Sequence, residues 1–185
     1  RQMRKSQERI GNLKAGQTRQ FNPHAGAYEI TARITPNASQ VAGFELLNDR
    51  GEKVKIYLDM ANGRIVMDRT ESGITEFGNA ATVHARELVE DPHTHREIAN
   101  PARKGNAINY KNDFALGTWA PLSLCDGKTY EVNIFVDKCS VELFVDGGRI
   151  AMTNLVFPTQ PYNQLRAVGE GNFQVSKVQV HQLGL

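Results

Sequence analysis

Hydrophobic and polar positions alternate with a period of two along most of this chain. That is the pattern of strands with one face turned inward, because successive side chains on a strand point to opposite faces. The clearest stretch is residues 53 to 60, where Val54, Ile56, Leu58 and Met60 alternate with Lys53, Lys55, Tyr57 and Asp59. Before it, Tyr28, Ile30, Ala32 and Ile34 alternate with Glu29, Thr31 and Arg33, and Pro36-Asn37 is expected to stop that strand ahead of another at 41 to 47. The turn chemistry fits: Asn48-Asp49-Arg50-Gly51 joins two antiparallel strands, and Ala61-Asn62-Gly63 suggests a type I′ hairpin into residues 64 to 69. Four strands thus read as a meander.

The second half repeats the pattern. Tyr130, Val132, Ile134 and Val136 lead through Asp137-Lys138 to Val141, Leu143 and Val145, and Asp146-Gly147-Gly148 turns the chain into 149 to 153. In the last strand Phe173 and Val175 hold one phase while Val178 and Val180 hold the other, which predicts a β-bulge near Ser176-Lys177. Alternation is lost between Thr70 and Ala120, a stretch too long for a simple connection, with one short helical turn expected at 83 to 90. About ten short strands with frequent turns predict an all-β fold: a two-sheet antiparallel β-sandwich of jelly-roll or concanavalin-like type.

Composition narrows the function classes. The 185 residues suit one domain; 40% are hydrophobic and 23% charged, close to ordinary globular usage. A net charge of +2 gives no field that would gather nucleic acid, and no apolar run is long enough for membrane insertion. Positive charge concentrates at the start, where Arg1, Arg4, Lys5, Arg9, Lys14 and Arg19 face only Glu8, so residues 1–26 read as a solvated linker in which Met3, Ile10 and Leu13 form a partly docked helical segment. Cys125 and Cys139 are too few for a disulfide framework, and unpaired thiols are expected.

Several segments, in order, resemble the C-terminal domain of glycoside hydrolase family 32, the family of invertases, inulinases and levanases. These are Met67-Asp68-Arg69-Thr70-Glu71-Ser72-Gly73 with Phe77; Ala120-Pro121-Leu122; the run Tyr130 to Val145 around Asp137-Lys138; and Met152-Thr153 with Val156-Phe157-Pro158. The chain departs from the family pattern at about 79–110, where it carries a loop insertion. The resemblance implies residues 1–26 as the remnant of a linker from a missing catalytic domain and 27–185 as the β-sandwich. It implies a non-catalytic C-terminal module of a fructan- or sucrose-hydrolysing β-fructosidase, mainly supporting the catalytic β-propeller of the same parent chain, in a secreted or periplasmic enzyme.

Hydrolysis with retention needs two carboxylates about 5 Å apart, and the family carries its pair on the propeller. Asn48-Asp49 and Asp91-Pro92 share only fragments of the propeller signatures and no Glu-Cys occurs, so no catalytic residue is assigned and no cofactor is implied. An alternative is an independent fructan-binding module taking a fructan oligosaccharide on exposed aromatics, for which Trp119, Tyr110, Tyr162 and Tyr57 are the candidates. A further, less favoured alternative is a metal-binding domain using His93 and His95, a pair that ordinary loop chemistry explains better.

Overall fold

The structure is a computed structural model and describes residues 4–23, 26–75, 88–90, 97–99 and 114–184. Their strands run in the order β1 (Arg4–Leu13), β2 (Thr18–Gln20), β3 (Tyr28–Leu47), β4 (Lys53–Asp59), β5 (Arg64–Glu71), β6 (Leu88–Glu90), β7 (Glu97–Ala99), β8 (Gly117–Pro121), β9 (Tyr130–Val136), β10 (Ser140–Val145), β11 (Ile150–Leu155) and β12 (Gln164–Leu183). Every described pairing is antiparallel.

Two strands of 20 residues each, β3 and β12, pair along almost their whole length and pass through both layers of the sandwich. The first half of β3 pairs with β9 and the second half with β4, so the first sheet runs β11-β10-β9-β3-β12-β1 and the second β8-β5-β4-β3-β12-β2. The expected stop at Pro36-Asn37 is therefore a corner within one strand. Ala38 takes φ 54° there and Gly171 opposite takes φ 90°. The strands approach so closely that a Cβ on Gly171 would sit 2.6 Å from the Ala38 carbonyl oxygen, which leaves room only for glycine.

The alternation read from the sequence fills the interior. Ile30, Ile34, Phe44, Leu46, Ile56, Leu58, Ile65, Met67, Tyr130, Ile134 and Leu143 are all buried and belong to one continuous cluster. The bulge expected at Ser176-Lys177 is present. The register of β12 against β3 shifts between Ser176 and Gln179, and Lys177 adopts φ 51°, which moves the inward positions from Val175 to Val178 and Val180. On the side where the two sheets meet, the Asn154 amide of β11 donates to the Met67 carbonyl of β5 at 3.3 Å and to Thr118 Oγ1 of β8 at 2.9 Å.

Three further local expectations are corrected. Residues 4–13 form a strand and not a helical segment, because the outer edge of β12 offers a row of amide and carbonyl groups that β1 satisfies from Arg4 to Leu13. Most of its side chains are exposed on both faces, so it carries no period-two signal. Leu88–Glu90 is a strand paired with Glu97–Ala99, where a helical turn was expected; residues 83 to 87 lie outside the described residues, as does most of the 79–110 insertion. The hairpin after β4 is not type I′: Asp59 and Arg64 are register partners across a four-residue loop in which Gly63, but not Asn62, has positive φ. The Asp146-Gly147 pair does take that geometry, with φ 47° and 72° and the Gly148 amide donating to the Val145 carbonyl.

Candidate functional site

The outer face of the second sheet is ordered by register into three rows. Ile56, Leu58, Ile65 and Met67 point into the core, so Tyr57, Val66 and Trp119 share the opposite face. The central row runs Trp119 on β8, Val66 on β5, Tyr57 on β4, Gly43 on β3 and Val168 on β12, each the Cα partner of the next. Trp119 is 57% exposed at one margin of the sheet. At Gly43 the row flattens, since any Cβ there would lie 2.7 Å from the Tyr57 Cβ and 2.1 Å from the Ile56 carbonyl oxygen.

A polar row flanks the central one on the side of the β4–β5 turn. Arg64 and Asp59 are register partners joined Nε to Oδ2 at 2.8 Å, and the Asn62 amide donates to both carboxylate oxygens of Asp59, at 2.8 and 3.1 Å. Burial alone would push the Asp59 carboxyl up; the Asn62 and Arg64 donors outweigh it and hold the group below the usual carboxylate range. The Arg64 guanidinium lies 5.5 Å from the Trp119 ring centre, within reach of a cation–π contact. Among the described residues its terminal nitrogens have no other hydrogen-bond partner. The opposite row pairs Asp68 with Lys55, Lys55 with Glu45 and Glu45 with Arg166; Arg166 clasps the buried Glu45 carboxylate. Tyr57 stands between the two rows. Its hydroxyl is raised above its ordinary pKa by burial, then by the Asp68 and Asp59 carboxylates, with Arg64 opposing.

The structure thus brings Trp119 and Tyr57 onto one face and takes Tyr162 away from it. Tyr162 was expected at a loop surface but is 1% exposed, and its hydroxyl donates to the Ser72 carbonyl at 2.5 Å. Burial pushes that hydroxyl well up from its ordinary pKa. The loop before β12 is drawn inward because this aromatic fills the end of the core. Tyr110, His93 and His95 lie outside the described residues. Arg64, Asp59 and Asn62 were not among the sequence candidates, although parity across the hairpin puts Asp59 and Arg64 on the same face as Tyr57 and Val66.

A cavity of about 420 Å³ opens at one end of the sandwich, walled by Tyr28, Val136, Pro158, Pro161 and Tyr162 with Asp137 among its lining. Two of its polar side chains are already engaged. Tyr28 donates to the Tyr162 carbonyl, and Asp137 accepts the amides of Cys139 and Ser140. Burial would push the Asp137 carboxyl up, and those amide donors hold it below the usual range. Asp137 therefore closes the turn of the family-like hairpin. Cys125 and Cys139 are both free and exposed.

Comparison with known proteins places this sandwich. Residues 1–182 match the C-terminal domain of glycosyl hydrolases family 32. A levanase of Bacillus subtilis (strain 168) is 27% identical over 176 residues, 93% of this chain and 20% of that protein. A levanase of Bacillus sp. (strain L7) is 26% identical over 164 residues, 86% of this chain and 14% of that protein. The chain therefore spans a fifth or less of the curated relatives it matches. The exo-inulinase structure from Aspergillus awamori superposes with a TM-score of 0.63 at 17% identity, covering 98% of this chain and 29% of that one. The galectin LEC-6 of Caenorhabditis elegans has the same fold, with a TM-score of 0.56 at 9% identity and 96% of each chain covered. The ordered strands, the shared hairpin and the match over residues 1–182 together show that this chain belongs to the C-terminal domain family of glycosyl hydrolases family 32.

Proposed function

We propose that this chain is the non-catalytic C-terminal module of a fructan- or sucrose-hydrolysing β-fructosidase, and that its main role is to support the catalytic β-propeller of the same parent chain. One observation carries the reading. The match to the C-terminal domain family covers 1–182, while the superposed inulinase, fructosyltransferase and fructofuranosidase chains are each covered over only 26–34% of their length. Much of each of those chains is therefore available for a catalytic companion.

The test is association in trans. Mixed with the separately produced catalytic portion of its parent, this chain is expected to co-elute on size exclusion and to raise the melting temperature of that portion by several degrees, since binding to the folded state alone stabilises it. Independent elution and an unchanged melting curve would remove the support role. Polymeric fructans are met outside the cytoplasmic membrane, which supports a secreted or periplasmic site of action for such a parent. A second reading, saccharide binding by the module itself, is favoured by the exposure of Trp119 on an ordered strand.

A further inference from the structure

We infer that the outer face of the second sheet is a binding strip for an uncharged oligosaccharide, with Trp119 as its stacking platform and the Arg64–Asp59–Asn62 group as its hydrogen-bonding rail. The inference rests on the reading of the module as saccharide-binding, and it names the face, the residues and the ligand class.

Three features of the face converge on such a ligand. Sugar rings present an apolar C–H face and an equatorial belt of hydroxyls, so their recognition calls for an exposed aromatic plane beside fixed, planar polar groups. Trp119 supplies the plane, with the Arg64 guanidinium 5.5 Å from its ring centre. The polar groups are fixed as well. Asp59, itself oriented by the Asn62 amide, holds Arg64 by its Nε alone, leaving its terminal N–H groups to donate to hydroxyl oxygens, at little cost in ordering because the side chain is already clamped.

Charge selects the class. The two polar rows contain Arg64, Lys55 and Arg166 against Asp59, Asp68 and Glu45, three cations and three anions, each cation paired in register with an anion. A balanced face repels neither sign and attracts neither, which suits a neutral glycan and disfavours a polyanion. Length selects the size. From β8 to β12 the central row crosses four strand spacings, about 19 Å, the span of a short oligosaccharide and not of one ring. The levanases among its relatives make a β-fructan segment the occupant to test first.

The chain's single tryptophan is Trp119, so its intrinsic emission reports on this face alone. The experiment is native electrophoresis of the full chain in gels containing levan, inulin, soluble starch or polygalacturonate, paired with emission titrations using the matching oligosaccharides. Wild type is expected to be retarded by a fructan and not by polygalacturonate, with a saturable emission change. Trp119→Ala and Arg64→Ala, each checked for native circular dichroism, are expected to weaken retardation about tenfold, and Trp119→Tyr to retain most of it. Retardation undiminished in both alanine variants would leave a saccharide-binding module standing but remove this face from it. No retardation and no emission change with any glycan would overturn both. An emission change produced by the catalytic portion of the parent, with none from glycans, would make the face an interdomain surface and overturn the inference.

Discussion

Gly73 shows at a single residue why a family-like motif is scaffold chemistry. It sits at φ 133°, and a Cβ there would lie 2.3 Å from the Phe157 carbonyl oxygen and 2.6 Å from the Pro158 Cα, both backbone atoms that cannot turn aside. Gly73→Ala is expected to cost about 2–3 kcal/mol, read as a lower urea midpoint with an unchanged slope. The reverse substitution has the reverse sign at Lys177, a non-glycine residue held at φ 51° in the bulge of β12. Lys177→Gly is expected to raise stability by up to about 1 kcal/mol in the same assay, because the left-handed conformation costs a lysine more than glycine's extra chain entropy does. The two motifs were legible to different degrees. The phase change from Val175 to Val178 announced the bulge, whereas nothing in Ser72-Gly73 announced that the strand exit at Phe157-Pro158 would press against it.

At the scale of elements, β1 is the piece the sequence concealed. Beyond its backbone pairing it is held by Arg4, whose guanidinium makes two hydrogen bonds of 2.6 Å to the buried Glu29 carboxylate, which also accepts from the Asn133 amide. Beside them His181, the register partner of Glu29, is buried with its Nε2 unpartnered among the described residues. Burial and the Arg4 charge hold His181 below its ordinary pKa of 6.5, with Glu29 opposing. The unfolded chain therefore takes up that proton first, and the stability from neutral His181 is full above about pH 6.5 and falls as the pH drops through its lowered value. Burial would raise Glu29, but the Arg4 and Asn133 donors lower it overall, so its contribution is present above about 4.5 and is lost on further acidification. The two slopes have the same sign. The urea midpoint is expected to hold above about pH 6.5 and to fall on acidification below it, and His181→Gln to flatten the first part of that fall. Arg4→Ala should cost about 1–2 kcal/mol at pH 7.5, since it leaves a buried carboxylate short of its cation while Asn133 remains. Strands buried on one face could be read from alternation. An exposed edge strand could not, because its stability comes from backbone pairing and one long-range ion pair, neither of which leaves a periodic trace.

For the whole molecule, the two 20-residue strands decide how it unfolds. Because β3 and β12 belong to both sheets and their inward residues join one cluster, neither sheet can be lost while the other stays packed. Far-ultraviolet circular dichroism and the near-ultraviolet signal of buried Tyr130 and Tyr162 are expected to change at one denaturant midpoint; separated midpoints would show that the sheets melt independently. The sequence pattern carried the fold class and the inward faces, but it divided β3 into two strands, since Pro36-Asn37 looks like punctuation when it is a corner. The pairing of Arg4 with Leu183 adds a last consequence. The two ends of the described fold lie side by side on one edge, so the polypeptide is close to a closed circuit whose opening point is a matter of convenience. A circular permutant, with a short glycine-serine bridge joining those ends and new termini cut into the exposed turn at Gly147-Gly148, is expected to fold to the same sandwich.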